Sequence, residues 1–323
     1  MDRDLNPDEL LFINMGLGQD SGAIAVLYCE GKLPAWYYDY RVYFVFSDTG
    51  AEAPPTYEWT ETHLIPYLRQ HGHELHWLKP GSRYHHTAPT PNYPEGRVLQ
   101  DIRTTYMADK HPSFPMLGSG GRCTETHKQN VLARFRDEKR REWCGRMAAE
   151  QTRAGFQDIV VVGIAADETE RALPSPAKNY RIEYPLIDLG LDRAACRKVI
   201  ADAGLPVPIK SGCLCCPFSP VWQHWWVLNR YPEEFARNEA MENLANQDRA
   251  ARGLAPVYML HSMKLPLRQA VEKWHEQNPT ITVDDLDRWL VEREVCAVNW
   301  KRQQRVDPNQ ITFALDDLVG PAA

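Results

Sequence analysis

The sequence predicts an α/β fold, in which a doubly wound parallel sheet is followed by a helical C-terminal region. In the first half, short apolar runs alternate with helical patterns, which is typical of parallel strands covered by helices on both faces. Two of these runs, Val42–Phe46 and Ile159–Ile164, are rich in β-branched or aromatic residues, which favour buried strands. We therefore expect an α/β domain over residues 1–212 and, over 213–323, a cysteine loop and helices.

The elements of the first half follow in a definite order. Pro54 is suited to the first turn of a helix, because the amide hydrogen that proline lacks is not needed there. The expected elements are a strand over Leu10–Met15, a helix over Ser21–Cys29, a strand over Val42–Phe46, a helix from about Pro54 to Gln70, and strands over Glu74–Leu78 and Ile159–Ile164.

An irregular insertion over about 79–122 interrupts this alternation. It contains six prolines among glycines and polar residues, with one helix expected near Arg97–Lys110. An irregular segment of this length in a compact domain is usually functional or disordered. Helices are expected to resume from Cys123 to about Ala154.

The composition excludes several classes of protein. The chain has 323 residues, with 37 Lys and Arg against 43 Asp and Glu, which gives a formal net charge of −6. Hydrophobic residues at 43% and charged residues at 25% are ordinary for a folded protein and exclude wholesale disorder. No apolar run approaches the ~18 residues of a membrane helix, and the N-terminus does not resemble a signal peptide. We expect a cytoplasmic protein without membrane contact, in which any nucleic-acid surface is local.

A glycine-rich segment, Met15-Gly-Leu-Gly-Gln-Asp-Ser-Gly, lies between the first expected strand and helix. Glycines there let backbone amides approach an anion, and the start of the helix adds partial positive charge. The segment lacks the Gly-Lys-Ser/Thr ending of a Walker loop. An anion-binding loop and a tight turn capped by Asp20 or Ser21 both fit the residues.

Three of the eight cysteines lie within Cys213-Leu-Cys215-Cys216, a clustering that suggests metal or redox chemistry in a reducing compartment. Cys213 and Cys216 have the spacing that presents two thiolates to one metal centre. An iron–sulfur cluster, a structural zinc and a redox or persulfide dithiol all remain open. Cys215 could be a fourth ligand, a persulfide carrier or a side chain that faces away.

Cys123 lies at an expected helix start, near Arg122 and Lys128, whose charges would favour its thiolate. His127 is expected to be a surface or capping residue, with a ligand role as the alternative. The cysteines that lie in helical patterns are expected to be packing residues: Cys29, Cys144 and Cys196.

Five segments occur in the order found in one superfamily of nucleotide-binding enzymes. Gly16-Leu-Gly-Gln-Asp-Ser21 resembles the Ser-Gly-Gly-x-Asp-Ser loop of N-type ATP pyrophosphatases, and Ser47-Asp-Thr-Gly50 resembles an element of the phosphoadenylyl-sulfate reductases. Gly163–Arg171, Tyr184–Asp188 and Lys210–Cys216 resemble three further segments of the reductase branch. The matches extend from about residue 10 to 218. The chain thus resembles the adenine nucleotide alpha-hydrolase (PP-loop) superfamily.

This resemblance implies a Rossmann-like sheet of the PP-loop ATPase type, with ATP and Mg²⁺ at the glycine-rich loop. It implies that Asp20 orients the magnesium, while Lys128 and Arg171 stabilise developing phosphate charge. The residues that it places at the nucleotide are Gly16, Gly18, Gln19, Asp20, Ser21, Asp48, Thr49, Gly163 and Ile164.

The chain also departs from the reductase pattern. Leu17 replaces a loop glycine, and Gln19 replaces a frequent lysine. The C-terminal Glu-Cys-Gly-Leu-His motif of the reductases is absent, and the only cysteine of the tail, Cys296, lies in a helical pattern. The departures favour an enzyme that activates an oxygen with ATP and replaces it with sulfur. A phosphoadenylyl-sulfate or adenylyl-sulfate reductase and a non-catalytic nucleotide-sensing protein with structural zinc are the alternatives.

By the same resemblance, Cys123, Cys213 and Cys216 would bind a 4Fe–4S cluster, with Cys215 as a further candidate ligand. Three ligands leave one iron open to hold a sulfide, as in the iron–sulfur-dependent thiolation enzymes. The partners implied are a DNA or RNA substrate, a sulfur donor such as a cysteine desulfurase, and a second copy of the chain in a homodimer.

Two further patterns bear on these partners. Arg134–Arg146 contains six basic and three acidic residues, which predicts either an ion-paired helix face or a patch that follows nucleic-acid phosphates. Trp222, Trp225 and Trp226 have helical spacing, which predicts a buried aromatic face next to the cysteine loop.

Overall fold

The structure, a computed structural model, describes residues 8–91, 93–115, 123–145, 150, 153, 155–172 and 178–292. The chain forms two compact units, each assembled from three segments. The first unit consists of Met1–Asp48, Glu52–His86 and Lys128–Ser211, and the second of Thr49–Ala51, Thr87–His127 and Gly212–Ala323. Most of the insertion predicted at 79–122 therefore belongs to the second unit.

The first unit contains a sheet of five parallel strands, in the order β3-β2-β1-β4-β5. The strands are β1 Leu10–Asn14, β2 Arg41–Ser47, β3 Leu75–Leu78, β4 Asp158–Val162 and β5 Tyr180–Glu183. The predicted α/β class with a parallel sheet is confirmed, and the order is consistent with a Rossmann-like fold. Because the strand order reverses at β1, a crevice is expected where β1 and β4 end.

Both faces of the sheet are covered around its central strands, which explains why β1, β2 and β4 are continuous apolar runs. Leu11 and Ile13 point to the face covered by α1 (Gln19–Cys29). Leu10 and Phe12 point to the opposite face, where α5 (Asn130–Cys144) packs. Alternate residues of one strand thus enter two separate clusters.

The helix predicted from Pro54 to Gln70 is present as α2 (Pro54–Trp59) and α3 (Ile65–Gln70), joined without a break by one π-helical turn. The helix predicted to extend from Cys123 to Ala154 has a π-helical turn at Glu125–Gln129, followed by α5, and its described part ends at Cys144. The remaining elements of the first unit are the 3-10 helices Ala35–Asp39 and Ala166–Arg171 and the helices Pro185–Asp188 and Arg193–Asp202.

The second unit is helical in its described part. Within the insertion, α4 is shorter than expected and covers only Ile102–Met107. Trp222, Trp225 and Trp226 are all buried, which confirms the predicted aromatic packing face. The other helices are Val221–Arg230, Pro232–Ala251, Leu267–Gln277 and Val283–Glu292, with a 3-10 turn at His261–Met263. No helix among the described residues has the length and apolar character needed to cross a membrane.

Candidate functional site

The glycine-rich loop connects β1 to α1 in the first unit. Met15 donates its amide to the Val45 carbonyl (2.8 Å), which fixes where the loop leaves the sheet. The Ser21 hydroxyl accepts a hydrogen bond from the Gly16 amide (3.1 Å) and donates one to the Gly18 carbonyl (3.3 Å). The loop therefore folds back onto the first turn of α1, whose amides carry partial positive charge.

Leu17 stands where the resembling loop has a glycine, and its backbone shows why glycine would fit. Its φ is +58°, in the left-handed region that costs a residue with a Cβ about 1–2 kcal/mol. Its side chain is wholly buried in the main cluster of the first unit. The chain therefore combines a strained backbone with an apolar anchor at this position.

A segment of the same unit, residues 206–211, lies against the loop. A Cβ on Gly18 would lie only 2.7 Å from Ser211 Oγ, so any other residue at this position would force Ser211 to move. Gln19 Nε2 donates to the Pro208 carbonyl (2.9 Å). Gln19, predicted at the nucleotide, is 2% exposed and holds this segment in the structure.

The carboxyl end of β4 touches the start of α1. A Cβ on Gly163 would lie 2.9 Å from the Ser21 amide nitrogen and 3.2 Å from Asp20 Cβ. Ile164 follows Gly163 and is 6% exposed. The structure thus brings the predicted residues Asp20, Ser21, Gly163 and Ile164 together where β1 and β4 end, at the position expected for a ligand crevice.

Asp48 follows β2 and is a buried carboxylate with defined donors. It accepts hydrogen bonds from the Tyr57 hydroxyl (2.8 Å) and from Trp77 Nε1 (2.9 Å). The Tyr57 and Trp77 rings stack with centroids 5.7 Å apart. Burial, and next the charge of Asp48, raise the pKa of Tyr57, which keeps it a neutral donor.

The predicted cation Lys128 faces a buried carboxylate. Its Nζ lies 3.6 Å from Glu52 Oε1, and the Glu52 side chain is 1% exposed. The Glu52 amide donates to the Tyr57 hydroxyl (3.2 Å), so Tyr57 connects the backbone of Glu52 to the carboxylate of Asp48. Lys128 and Asp48 therefore belong to neighbouring parts of one polar network in the first unit.

The predicted cation Arg171 is also paired. Its guanidinium binds the carboxylate of Glu168, which is 6% exposed and also binds Arg193. Arg193 Nε lies 3.1 Å from Asp167 Oδ2. Arg171 would have to exchange Glu168 for phosphate oxygens before it could stabilise developing phosphate charge.

Sequence reasoning missed the residues that hold the predicted ones in place. They are Glu52, Tyr57, Trp77, Glu168, Arg193 and Ser211. Glu168 stands inside the Gly163–Arg171 segment, where acidic residues next to a candidate phosphate cation were a usable signal for pairing. No local signal identifies Arg193 or Ser211, because both come from distant parts of the chain.

The cysteine loop belongs to the second unit, and the short Thr49–Ala51 segment holds it. Thr49 Oγ1 lies 3.0 Å from Cys213 Sγ, and the Leu214 amide donates to the Ala51 carbonyl (2.7 Å). Thr49, which was predicted at the nucleotide, is 1% exposed and contacts the sulfur site.

Helices of the second unit anchor the rest of the cysteine loop. Asn238 Nδ2 donates to the Leu214 carbonyl (3.0 Å), and His224 Nε2 lies 3.1 Å from the Cys216 carbonyl. Burial lowers the pKa of His224 to about 4, so its ring is neutral at pH 7 and Nε2–H acts as the donor.

Cys215, in the cysteine loop, is wholly buried. Burial raises its pKa well above the ordinary value, and charges on Cys213, Cys216 and Cys123 act in the same direction. Cys123 and the cysteine loop, about 90 residues apart in sequence, are therefore close enough for their charges to act on Cys215. A persulfide carrier must meet its donor, whereas Cys215 has no exposed surface; its role stays a prediction.

A buried cation accompanies these thiols. Arg103, on α4, is 1% exposed, and its charge opposes the rise in the pKa of Cys215. Its guanidinium binds Glu234 and donates to Asn238 Oδ1 (3.3 Å). A guanidinium in a low-dielectric environment stabilises a nearby anion, such as a thiolate or a thiolate-bound cluster.

His127 differs from the expectation of a surface or capping residue. It is 1% exposed, and its ring stacks on Tyr106 with centroids 6.2 Å apart. Tyr106 is also buried, and its pKa is raised by burial and then by Cys123 and Cys215. An aromatic layer therefore lies close to the thiols. Arg122 and Cys296 lie outside the described residues.

The other expected packing cysteines are buried to different degrees. Cys196 is wholly buried, as predicted. Cys29 and Cys144 are half-buried on α1 and α5, and burial, followed by the charge of Glu30, raises the pKa of Cys29 to about 12.

The donor set can be compared with the metal centres predicted for it. Among the described residues, no three His, Cys, Asp or Glu side chains converge closely enough to hold one metal ion. Thiolates bind both zinc and the irons of an iron–sulfur cluster, so Cys123, Cys213 and Cys216 suit either centre by their chemistry. Both centres stay predictions.

The basic segment at Arg134–Arg146 corresponds mostly to α5, and two of its arginines are internal. Arg140 is wholly buried in ion pairs with Asp137 and Asp158. Arg136 is 8% exposed and lies over the Tyr180 ring, 4.7 Å from its centroid. Neither of the predicted surface roles describes these two arginines.

Part of this segment does face an open cavity of about 300 Å³. Arg134 and Arg141 line it together with Arg83 and Tyr84, but Asp137 and Glu138 are also present. Because Glu138 accepts from both Arg83 and Tyr84, the cavity has mixed charge. A nucleic-acid substrate stays a prediction.

No protein-family model and no curated protein matches this chain, so its functional assignment depends on the fold and on the two groups of residues described above.

Proposed function

We propose that the protein is an ATP-dependent sulfur-transfer enzyme, which adenylylates a carbonyl or phosphate oxygen of a nucleic acid or related acceptor and replaces that oxygen with sulfur. The observation that carries the proposal is that Cys215 is wholly buried within reach of the charges of Cys123, Cys213, Cys216 and the buried Arg103, all of which act on its pKa. The parallel sheet with its glycine-rich loop supports the nucleotide half of the reaction.

The reaction has two balanced steps. The acceptor oxygen attacks the α-phosphorus of ATP; a new O–P bond forms, the bond to pyrophosphate breaks, and pyrophosphate leaves with its electron pair. Hydrosulfide then attacks the activated atom, AMP leaves with the former acceptor oxygen, and the hydrosulfide proton passes to water. No net oxidation occurs, provided that a donor such as a cysteine desulfurase and its reductant deliver sulfur at the level of sulfide.

The chain's own residues have distinct roles in this proposal. The Gly16–Ser21 loop binds the phosphates, Asp20 orients Mg²⁺, and Asp48 lies at the end of β2 with its carboxylate held by two donors. Lys128 and Arg171 stabilise charge on the phosphates, each after leaving its carboxylate partner.

The cysteines have the second role. Cys123, Cys213 and Cys216 would hold a 4Fe–4S cluster, and an iron without a protein thiolate can bind sulfide and supply it for transfer. The wholly buried Cys215 belongs to the same loop, and the charge of Arg103, which also binds Glu234, opposes the rise in the pKa of Cys215.

The test of the nucleotide half is Asp20→Ala. With radiolabelled ATP and bulk RNA or duplex DNA as probes, we expect release of AMP and pyrophosphate to fall by about 100-fold or more. Asp202→Ala is the matched control, since Asp202 is an exposed residue of the same unit that pairs with Lys198. Undiminished turnover in Asp20→Ala would remove the loop from the proposal.

The test of the sulfur half is quantification of iron and acid-labile sulfide in protein purified anaerobically. We expect the wild type to contain iron and sulfide. Cys213→Ser should lose them. Cys196→Ser is the control and should retain them, because Cys196 belongs to the first unit. Stoichiometric zinc without turnover would instead support the nucleotide-sensing alternative. Sulfite formation from an adenylylated sulfate, without ATP, would support the reductase alternative.

A further inference from the structure

The Thr49–Ala51 segment contributes to the cysteine site although it is isolated in sequence from the rest of the second unit. Asp48 belongs to the first unit, and Thr49 directly after it belongs to the second. The segment makes one side-chain contact and one backbone contact with the cysteine loop, at Cys213 and Leu214. Two successive residues of the loop are thus held by two residues of this segment, Thr49 and Ala51.

The geometry points to Thr49 as a positioning residue of the sulfur site: its hydroxyl holds the sulfur of Cys213 by a hydrogen bond. The distance of 3.0 Å is short for a contact between oxygen and sulfur. A thiolate or a metal-bound sulfur has no proton to give, so in those states the hydroxyl must be the donor. The hydrogen bond itself does not depend on the proposed function. Only its effect on a bound cluster rests on the proposed function.

The local structure fixes the direction of this hydroxyl. Threonine is β-branched, and its χ1 rotation is restricted by two heavy atoms on Cβ. The Thr49 carbonyl accepts a hydrogen bond from the Ile102 amide (2.8 Å), which ties its backbone to the start of α4. Thr49 is 1% exposed, so water does not compete for the hydroxyl. The donor is therefore set in place before any ligand arrives.

Such a donor changes the electronic properties of the sulfur that it contacts. Hydrogen bonds to ligand sulfurs are one of the factors that set the reduction potential of iron–sulfur clusters. They stabilise the more negative, reduced state, so removal of this bond should make the midpoint potential more negative. A residue that only filled space would leave the potential unchanged.

The first arm of the test uses metal-free, reduced protein and infrared spectroscopy of the S–H stretching region. The difference spectrum between the wild type and Cys213→Ser isolates the contribution of Cys213. We expect the S–H stretching frequency of Cys213 to shift in Thr49→Val, which removes the hydroxyl at nearly constant volume. In Thr49→Ser, which keeps a hydroxyl, the frequency should be unchanged. An identical contribution in all three proteins would overturn the inference.

Thr60→Val is the matched control for this arm. Thr60 is a wholly buried threonine of the first unit, and its hydroxyl donates to the Thr56 carbonyl (2.7 Å). The same chemical change there should leave the Cys213 contribution where it is. A shift in Thr60→Val equal to that in Thr49→Val would mean that any buried threonine produces it, and the inference would fail.

The second arm uses protein reconstituted with iron and sulfide, with the midpoint potential measured by spectroelectrochemistry. We expect a more negative potential in Thr49→Val and the wild-type potential in Thr49→Ser. A cluster that forms with the wild-type potential in Thr49→Val would overturn the inference while leaving the proposed function intact. If no protein takes up iron, the proposed function fails, and the infrared arm still decides the role of Thr49.

Discussion

At the scale of single residues, Leu17 shows two opposing effects whose sizes can be compared. Its left-handed φ of +58° costs about 1–2 kcal/mol, and glycine would remove this cost. Its buried side chain contributes more, because truncation of a buried leucine to alanine costs about 2–5 kcal/mol. The apolar anchor therefore outweighs the strain, which explains why the loop can tolerate a leucine there.

This comparison predicts an unusual order of stabilities. We expect Leu17→Gly and Leu17→Ala both to lower the free energy of unfolding, with the alanine variant about 1 kcal/mol less stable than the glycine variant. Alanine loses the anchor and keeps the strain, whereas glycine loses both. Urea unfolding of the two variants measures the difference.

Leu27, on α1 and 5% exposed, provides the control for Leu17. In a helix interior glycine is worse than alanine by about 1 kcal/mol, so Leu27→Gly should be less stable than Leu27→Ala. The same order at both positions would contradict the strain assigned to Leu17.

The residue scale is also where prediction from sequence reached its limit. Asp20, Ser21 and Gly163 were predicted from local motifs, and the structure brings them together. Glu52 and Glu168 were missed, because a buried carboxylate is recognisable only once the cation that pairs with it is known. Thr49 was predicted at the nucleotide from its motif, and this role stays a prediction; the contact of its hydroxyl with Cys213 Sγ (3.0 Å) could not be predicted, because a motif shows only which residues are adjacent in sequence.

At the scale of elements, Arg140 joins a helix to the sheet. It extends from α5 to Asp158 at the start of β4, and both side chains have no exposed surface. Asp158 Oδ1 also accepts a hydrogen bond from the Leu10 amide (3.2 Å), at the start of β1. One buried ion pair thus fixes α5 against two neighbouring strands.

We expect Arg140→Met to lower the free energy of unfolding by about 3–5 kcal/mol, because it leaves Asp158 buried without its cation. Arg141→Met is the control, since Arg141 is the next residue of the same helix and is exposed. That variant should leave the free energy of unfolding nearly unchanged. Chemical denaturation of both variants, followed by circular dichroism, measures the effect, and equal stabilities would show that the pair does not stabilise the unit.

Elements were predicted well where local composition decides the conformation. β1, β2 and β4 are continuous apolar runs because both faces of the sheet are covered. β5 was not predicted: all four residues of Tyr180–Glu183 are only half-buried, and Arg181 and Glu183 make it polar. An edge strand of this kind is recognised by its pairing with β4, which the sequence does not reveal.

At the scale of the whole molecule, the two units share the chain in an interleaved way. The second unit contains Thr49–Ala51 and Thr87–His127, and the rest of it begins only at Gly212. The segment Thr87–His127 depends on the last segment, as Arg103 shows, because its buried guanidinium is bound by Glu234 and Asn238. A cut at the predicted boundary between residues 212 and 213 would therefore divide the second unit.

We expect a fragment of residues 1–211 to be cleaved by protease within 87–127 much faster than the full chain. Without the last segment, α4 loses the helix Pro232–Ala251, against which it packs, and its apolar residues face water. Limited proteolysis with mass spectrometry identifies the cleavage sites. Equal resistance of 87–127 in the fragment and in the full chain would show that this segment folds without 212–323.

The same interleaving determines when the cysteines of the second unit are synthesised. Cys123 leaves the ribosome about 90 residues before Cys213, which is a delay of roughly 5–18 seconds at about 5–20 residues per second. Throughout that interval the nascent chain contains Cys123 without Cys213 and Cys216. If the proposed cluster is bound by these three thiols, it can be loaded only after residue 216 has been synthesised.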